Sequence, residues 1–87
     1  MIEPYILPSD VEAARGHILE MAARVEALLP RIETAQGIHQ EEALAKLANL
    51  YLRMAHDLMK VADLHGEMIE DPRILALRRA MKPYRGL

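Results

Sequence analysis

Two histidine–carboxylate pairs come closest to a chemical site in this chain. His17 with Glu20, and His39 with Glu42, both follow the pattern His-x-x-Glu, which places an imidazole and a carboxylate on one side of a helix. A carboxylate-bridged di-iron site requires the reverse order, Glu-x-x-His, on two helices, with a further glutamate from each of two others. The chain contains no Glu-x-x-His. We therefore interpret the first pair as a surface pair and the second as part of a helix start.

The other residues with chemical potential also have simpler interpretations. Ser9 is explained as a helix cap, and no histidine follows it at a spacing typical of nucleophilic catalysis. His65 falls in an apolar stripe, where a core or register-setting polar residue is the commoner role. The chain has no cysteine, which excludes disulfides, thiolate metal sites and a cysteine nucleophile together. We therefore expect a protein that is not an enzyme, with no catalytic residue, no metal site and no cofactor.

A long amphipathic helix dominates the second half of the chain. Eight positions step by three and four residues, and seven of them are apolar: Leu44, Leu47, Tyr51, Met54, Leu58, Val61, His65 and Met68. This is the spacing of a coiled coil, which turns one stripe of a helix toward a partner. It predicts a helix over about 39–70 with this stripe as its buried seam.

The first helix is predicted over about 9–36. Ser9 and Glu12 form a capping box, and apolar residues continue in three-four alternation: Val11, Ala14, Ile18, Met21, Val25, Leu28, Ile32 and Ala35. Because this phase does not break at Pro30, we predict one kinked helix instead of two. Gly37 is expected to close the helix in the left-handed conformation, with Ile38 packing back on Ile32. The short connection predicts an antiparallel helical hairpin.

A third, shorter helix is predicted over about 72–82, because Asp71 is a favourable cap and Pro72 is tolerated at a first helical position. The chain thus reads as one all-α domain over 1–87. An extended N-terminal arm, 1–8, comes before the hairpin, and a basic helix and tail, 72–87, follow it.

The charges divide sharply along the chain. Every acidic residue lies at or before Asp71, and the basic residues that follow it form a candidate partner-binding patch: Arg73, Arg78, Arg79, Lys82 and Arg85. Such a tail suits nucleic acid, an acidic protein, an anionic membrane surface or the acidic body of the chain itself. If it docks on the body, we expect contacts through Ile74, Leu77 and Met81, with the cations facing Glu67 and Glu70.

The apolar surface is wider than one hairpin seam can cover. A stripe of small residues on the first helix, apolar residues outside the seams and the N-terminal arm are candidates for an oligomer or partner interface: Ala13, Gly16, Ala23, Ala27, Leu52, Met59, Tyr5, Ile6 and Leu7. The alternative, that these alanines are ordinary helix formers on a solvated face, stays open. We predict an oligomeric helical bundle.

These features favour a non-enzymatic protein that interacts with other proteins or assembles with itself, such as a small helical adaptor, a chaperone-like protein, a phage-assembly component or an inhibitor. The alternative is a nucleic-acid-binding dimer that uses the basic C-terminal segment. Residues 1–10 have no basic n-region and no apolar run long enough for a signal peptide, so we expect none, and no apolar run reaches membrane-spanning length. We therefore expect a cytoplasmic protein.

Overall fold

The structure, a computed structural model, describes residues 8–84 of the 87-residue chain, and the side chains from residue 11 onward. These residues form helices and turns without any strand, in the order α1 (Pro8–Glu33), α2 (Ile38–Val61), α3 (His65–Ile69), α4 (Pro72–Ala80) and a 3-10 turn (Lys82–Tyr84). The predicted all-helical fold is confirmed. Of the predicted arm, Pro8 begins α1 and the rest, including Tyr5, Ile6 and Leu7, lies outside the described residues, as does Arg85.

Helix α1 passes through Pro30 without a break, as predicted, but it ends at Glu33. The backbone N–H of Thr34 donates to the carbonyl of Pro30 at 3.1 Å, and the Thr34 hydroxyl donates to the same carbonyl at 3.0 Å. The predicted apolar stripe of α1 is its buried side: Ala14, Ile18, Val25, Leu28 and Ile32 are all at most 7% exposed.

The turn between α1 and α2 differs from the prediction. Gly37 has φ 153° and ψ 161° and caps the start of α2, where its carbonyl accepts from the Glu41 N–H at 3.0 Å. Only glycine adopts this backbone region readily, because a Cβ would clash there. Ile38 is 66% exposed, so the expected packing on Ile32 is wrong.

Two contacts between α1 and the rest of the chain show that the hairpin is antiparallel. Arg24 donates to the Tyr51 hydroxyl at 3.5 Å, and its guanidinium lies 5.5 Å from the Tyr51 ring centroid. Arg15, further from the turn, contacts Glu67, which is also further from the turn.

Helix α2 buries a different stripe from the predicted seam. Its buried residues are Leu44, Ala45, Ala48, Ala55 and Met59. Leu47, Met54 and Val61, by contrast, are 38%, 48% and 48% exposed. Both stripes have three-four spacing, but the buried one is displaced by a single residue, which is a rotation of about 100°. Three alanines on the buried side let the backbones of α1 and α2 approach closely, so the larger apolar residues are left outside.

Helix α2 also ends earlier than predicted, at Val61. Asp63 adopts φ 58°, the Asp63 N–H donates to the Lys60 carbonyl at 3.1 Å, and the Leu64 N–H donates to the Met59 carbonyl at 2.7 Å. This pair of bonds is the Schellman arrangement that satisfies the last carbonyls of a helix. The chain then turns into the short α3 instead of continuing to residue 70.

Helix α4 begins as predicted. The Asp71 carboxylate accepts from the Arg73 N–H at 2.8 Å, and Pro72 occupies the first turn. Ile74, Leu77 and Met81 are 2%, 4% and 2% exposed, because α4 packs on α1 and α3 of the same chain. The expected docking of this segment through its apolar side is thus confirmed.

Candidate functional site

A pocket of about 440 Å³ lies where α2 and α4 face each other. Its size falls within the range of about 300–1,000 Å³ that small-molecule sites usually have. The apolar side chains that line it come from all four helices and from the residue directly after α4: Ala22, Leu52, Ala55, Met59, Ile69, Ile74 and Met81. Of these, Met59, Ile74 and Met81 are each 2% exposed, so the floor of the pocket is also part of the core and is held in place by it.

The polar rim of the pocket consists of Asn49, Arg53, His56 and Arg78. The Asn49 amide donates to the carbonyl of Tyr84 at 2.9 Å, which fixes the 3-10 turn beside the pocket. Arg53 comes from α2 and Arg78 from α4, and neither forms an ion pair with a carboxylate of residues 11–84. No aspartate or glutamate of the described residues lines the pocket. Its mouth is therefore electropositive.

His56 also belongs to a pair of imidazoles. Its Nε2 atom lies 3.1 Å from Nε2 of His65, and the rings meet edge to face. Since this hydrogen bond needs one N–H donor and one bare nitrogen, at least one ring is neutral. Desolvation, followed by the charge of Lys60 and the proximity of His65, lowers the pKa of His56. The structure thus places His65 against His56 at the start of α3, and not in a helix–helix seam.

The imidazole pair does not amount to a metal centre. Across the described part of the chain, no group of three or more histidine, cysteine, aspartate or glutamate side chains is placed to hold a metal ion. Nδ1 of His17 lies 3.7 Å from Oε2 of Glu20, and both side chains are at least half exposed, in agreement with their interpretation as a surface pair.

A second candidate surface is the exposed apolar face of α2, which we define as Leu47, Leu50, Met54, Leu58 and Val61. Four of these are between 38% and 48% exposed, and Leu58 is half-buried. They step by three, four, four and three residues, so they share one side of α2 and extend over about 21 Å at 1.5 Å per residue. This face carries four of the eight residues that we predicted as the buried seam.

The predicted interface residues fall in three different environments. Ala13, Gly16, Ala23 and Ala27 are exposed on α1, and a Cβ added at Gly16 would meet nothing within 4 Å. Among residues 8–84 of one chain, therefore, no neighbouring backbone approaches Gly16. Leu52 is half-buried in the wall of the pocket, and Met59 is a core residue because its side of α2 packs inside the chain.

The predicted basic patch is divided by the way α4 docks. Arg73 is held at Asp71, with Nε 3.4 Å from Oδ1, whereas Arg78 lines the pocket. At 100° per residue these two lie about 140° apart, with the buried side of α4 between them. Arg79 and Lys82 are exposed. Glu67, expected to face these cations, contacts Arg15 of α1.

Comparisons of the chain with protein-family models, with curated proteins and with solved structures give no match. Among the described residues, no helix combines the length and the apolar content needed to cross a bilayer.

Sequence reasoning missed the pocket. Asn49, Arg53 and His56 step by four and three along the polar side of the predicted second helix, and this spacing shows that they share a side. Their meeting with Arg78 depends on how α4 folds back, which no local pattern encodes.

Proposed function

We propose that this protein is a non-enzymatic assembly protein whose copies associate through the exposed apolar face of α2. The observation that supports this proposal is the exposure of Leu47, Leu50, Met54 and Val61, at 38–48% each, on one side of a single helix. Burying such a face against a partner removes apolar area from water at a gain of about 25 cal/mol per Å². Contiguous apolar patches of this kind are typical of interaction sites.

We assign a second copy of the chain as the partner of this face, on grounds of symmetry and charge. In an antiparallel alignment centred on Met54, Leu47 of one copy lies beside Val61 of the other, and Leu50 lies beside Leu58. Such a two-fold contact uses the same residues on both sides. It also brings Arg53 of each copy near Asp57 of the other, because both residues flank the same edge of the face.

Light scattering coupled to gel filtration tests the proposal. The wild-type chain should have twice the monomer mass of 9.9 kDa, and Leu50→Glu combined with Met54→Glu should shift it to the monomer. The matched control is Leu75→Glu on α4, an apolar residue 37% exposed outside this face, which should leave the mass unchanged. A wild type that is monomeric across a concentration series would refute the proposal, as would a double variant that still dimerises.

Nucleic-acid binding through the basic C-terminal segment stays the alternative. Its support is that Arg79 of α4 and Lys82 of the 3-10 turn are both exposed. It predicts binding of labelled DNA or RNA that weakens steeply with salt and that is lost when both residues are replaced by glutamine. If the fluorescence anisotropy of the labelled nucleic acid does not change on adding the protein, even at low salt, this alternative is contradicted.

A further inference from the structure

The pocket between α2 and α4 combines an apolar floor with a cationic mouth. Its floor is made of flexible and branched apolar side chains, chiefly Met59, Ile74 and Met81, and among its lining residues His56 alone carries a ring. Methionine side chains adapt their shape to a ligand more readily than rigid ones. Such a floor suits an unbranched hydrocarbon chain better than a flat ring.

The mouth of the same pocket carries two guanidinium groups from different helices. Arg53 and Arg78 both line it, and neither has a carboxylate partner within residues 11–84. Arginine presents a planar fork of N–H donors that matches a carboxylate with two parallel hydrogen bonds. Unpaired arginines over an apolar floor therefore complement a molecule with an anionic head and a hydrocarbon tail.

We propose that this pocket binds a single-chain fatty acid, with the carboxylate held by Arg53 and Arg78 and the acyl chain lying on the half-buried Leu52 and Ile69, above the buried floor of Met59, Ile74 and Met81. The volume of about 440 Å³ suits a chain of medium length. Most of the pocket lies away from the face proposed for self-association, since Leu52 and Met59 lie on the opposite side of α2 from Leu50 and Met54. Arg53 borders both sites, so Arg78→Gln is the variant that tests the pocket alone.

Calorimetric titration of the full chain with decanoate, below its micelle concentration, tests the proposal. Wild type should bind one decanoate per chain, and octanoate should bind about fifteenfold more weakly, because each methylene contributes about fourfold in affinity (about 0.8 kcal/mol). Arg78→Gln should weaken decanoate binding at least tenfold. Its matched control, Arg79→Gln, removes the neighbouring charge outside the pocket and should change the affinity less than twofold. Decanol, which has the same chain without the charge, should bind at least tenfold more weakly than decanoate.

Methyl NMR of the methionines locates the ligand. The methyl groups of Met59 and Met81 should shift on adding decanoate, while that of Met54, on the exposed face of α2, should not. The spectrum of unliganded Arg78→Gln shows whether that variant is folded, and Arg53→Gln provides a second independent variant. The light-scattering mass of Arg78→Gln should equal that of wild type, which separates this test from that of the proposed function.

Three results would overturn the proposal. One is a wild-type chain that does not bind decanoate. Another is equal affinity of Arg78→Gln and Arg79→Gln, which would show that general surface charge attracts the anion. The third is a shift confined to Met54, which would place the acyl chain on the exposed face of α2.

Discussion

The Nε2 atoms of His56 and His65 lie 3.1 Å apart, and their ring planes are nearly perpendicular, at 89°. This contact joins the C-terminal part of α2 to the start of α3 across the turn that ends α2. Protonation of both rings would leave two N–H groups facing each other, so the contact requires a neutral acceptor. The contact between the two imidazoles therefore makes the junction of α2 and α3 sensitive to mildly acidic pH.

The free energy of unfolding should therefore fall as the pH is lowered, because His56 is harder to protonate in the folded chain than in the unfolded chain. Desolvation, with Lys60, His65 and Arg78 adding and Asp57 opposing, lowers the pKa of His56 in the folded chain. At acid pH the unfolded chain then binds more protons than the folded chain. The stability contributed by neutral His56 is therefore complete above the ordinary histidine pKa of about 6.5 and is lost as the pH falls below it.

Urea unfolding of wild type and His56→Gln at a series of pH values between neutral and mildly acidic checks this. The variant should show a shallower loss of stability on acidification. His39→Gln, which removes an exposed imidazole from the start of α2, is the control for the loss of one imidazole. Equal slopes for wild type and His56→Gln would contradict the prediction.

The alanine side of α2 gives a second prediction. Ala48 is fully buried between the two long helices, whereas Ala43, about one and a half turns earlier, is exposed. Ala48→Leu should destabilise the chain by about 1–3 kcal/mol, because a larger side chain forces the close-packed helices apart. Ala43→Leu adds the same atoms in water and should change stability by about 0.5 kcal/mol or less. Similar urea midpoints for the two variants would show that α2 does not pack through its alanines.

The turn after α2 gives a third prediction. Asp63 holds φ 58°, a conformation that costs a residue with a Cβ about 1–2 kcal/mol, although aspartate tolerates it better than most. Asp63→Gly should therefore maintain or raise stability, and Asp63→Val should lower it by about 1 kcal/mol or more. Chemical unfolding of both variants tests the order. If valine is tolerated as well as glycine, the helix does not end in this conformation.

The N-terminal cap of α4 gives a fourth prediction. Hydrogen bonds from the Arg73 backbone N–H and then from the Arg73 side chain lower the pKa of Asp71. Its contribution to stability is thus present above the ordinary aspartate pKa and is lost as the pH falls through that range. Asp71→Ala should lower the melting temperature at neutral pH, whereas Asp71→Asn, which keeps an oxygen acceptor, should retain most of it with a weaker dependence on acid. A melting temperature for Asp71→Ala equal to that of wild type would show that the cap contributes nothing.

The buried side of a helix could be predicted from the sequence where the helix has only one apolar stripe. Helix α1 has a single apolar stripe, so its buried side, including Ile18 and Val25, follows from spacing alone. Helix α2 has two stripes one residue apart, and the larger side chains favoured the wrong one. The outcome depended on how closely two backbones approach, which is a property of the pair of helices.

The end of α2 and the pocket were beyond sequence reasoning for different reasons. Asp63 takes the conformation that a glycine usually marks, so the stop signal was absent and the helix was predicted to continue to residue 70. Arg53 and Arg78 are separated by a helix end and two turns. They meet because α4 docks through Ile74 and Leu77. Periodicity predicts that these two residues are buried, but it does not identify the helices against which they pack.

The methionines of this chain differ greatly in their access to oxidants. Met54 is 48% exposed, while Met59, Met68 and Met81 are at most 3% exposed. Peroxide attacks accessible thioethers first and converts each to a polar, chiral sulfoxide. Mild oxidation would therefore mark the centre of the face proposed for association while leaving the helical core and the floor of the pocket chemically intact.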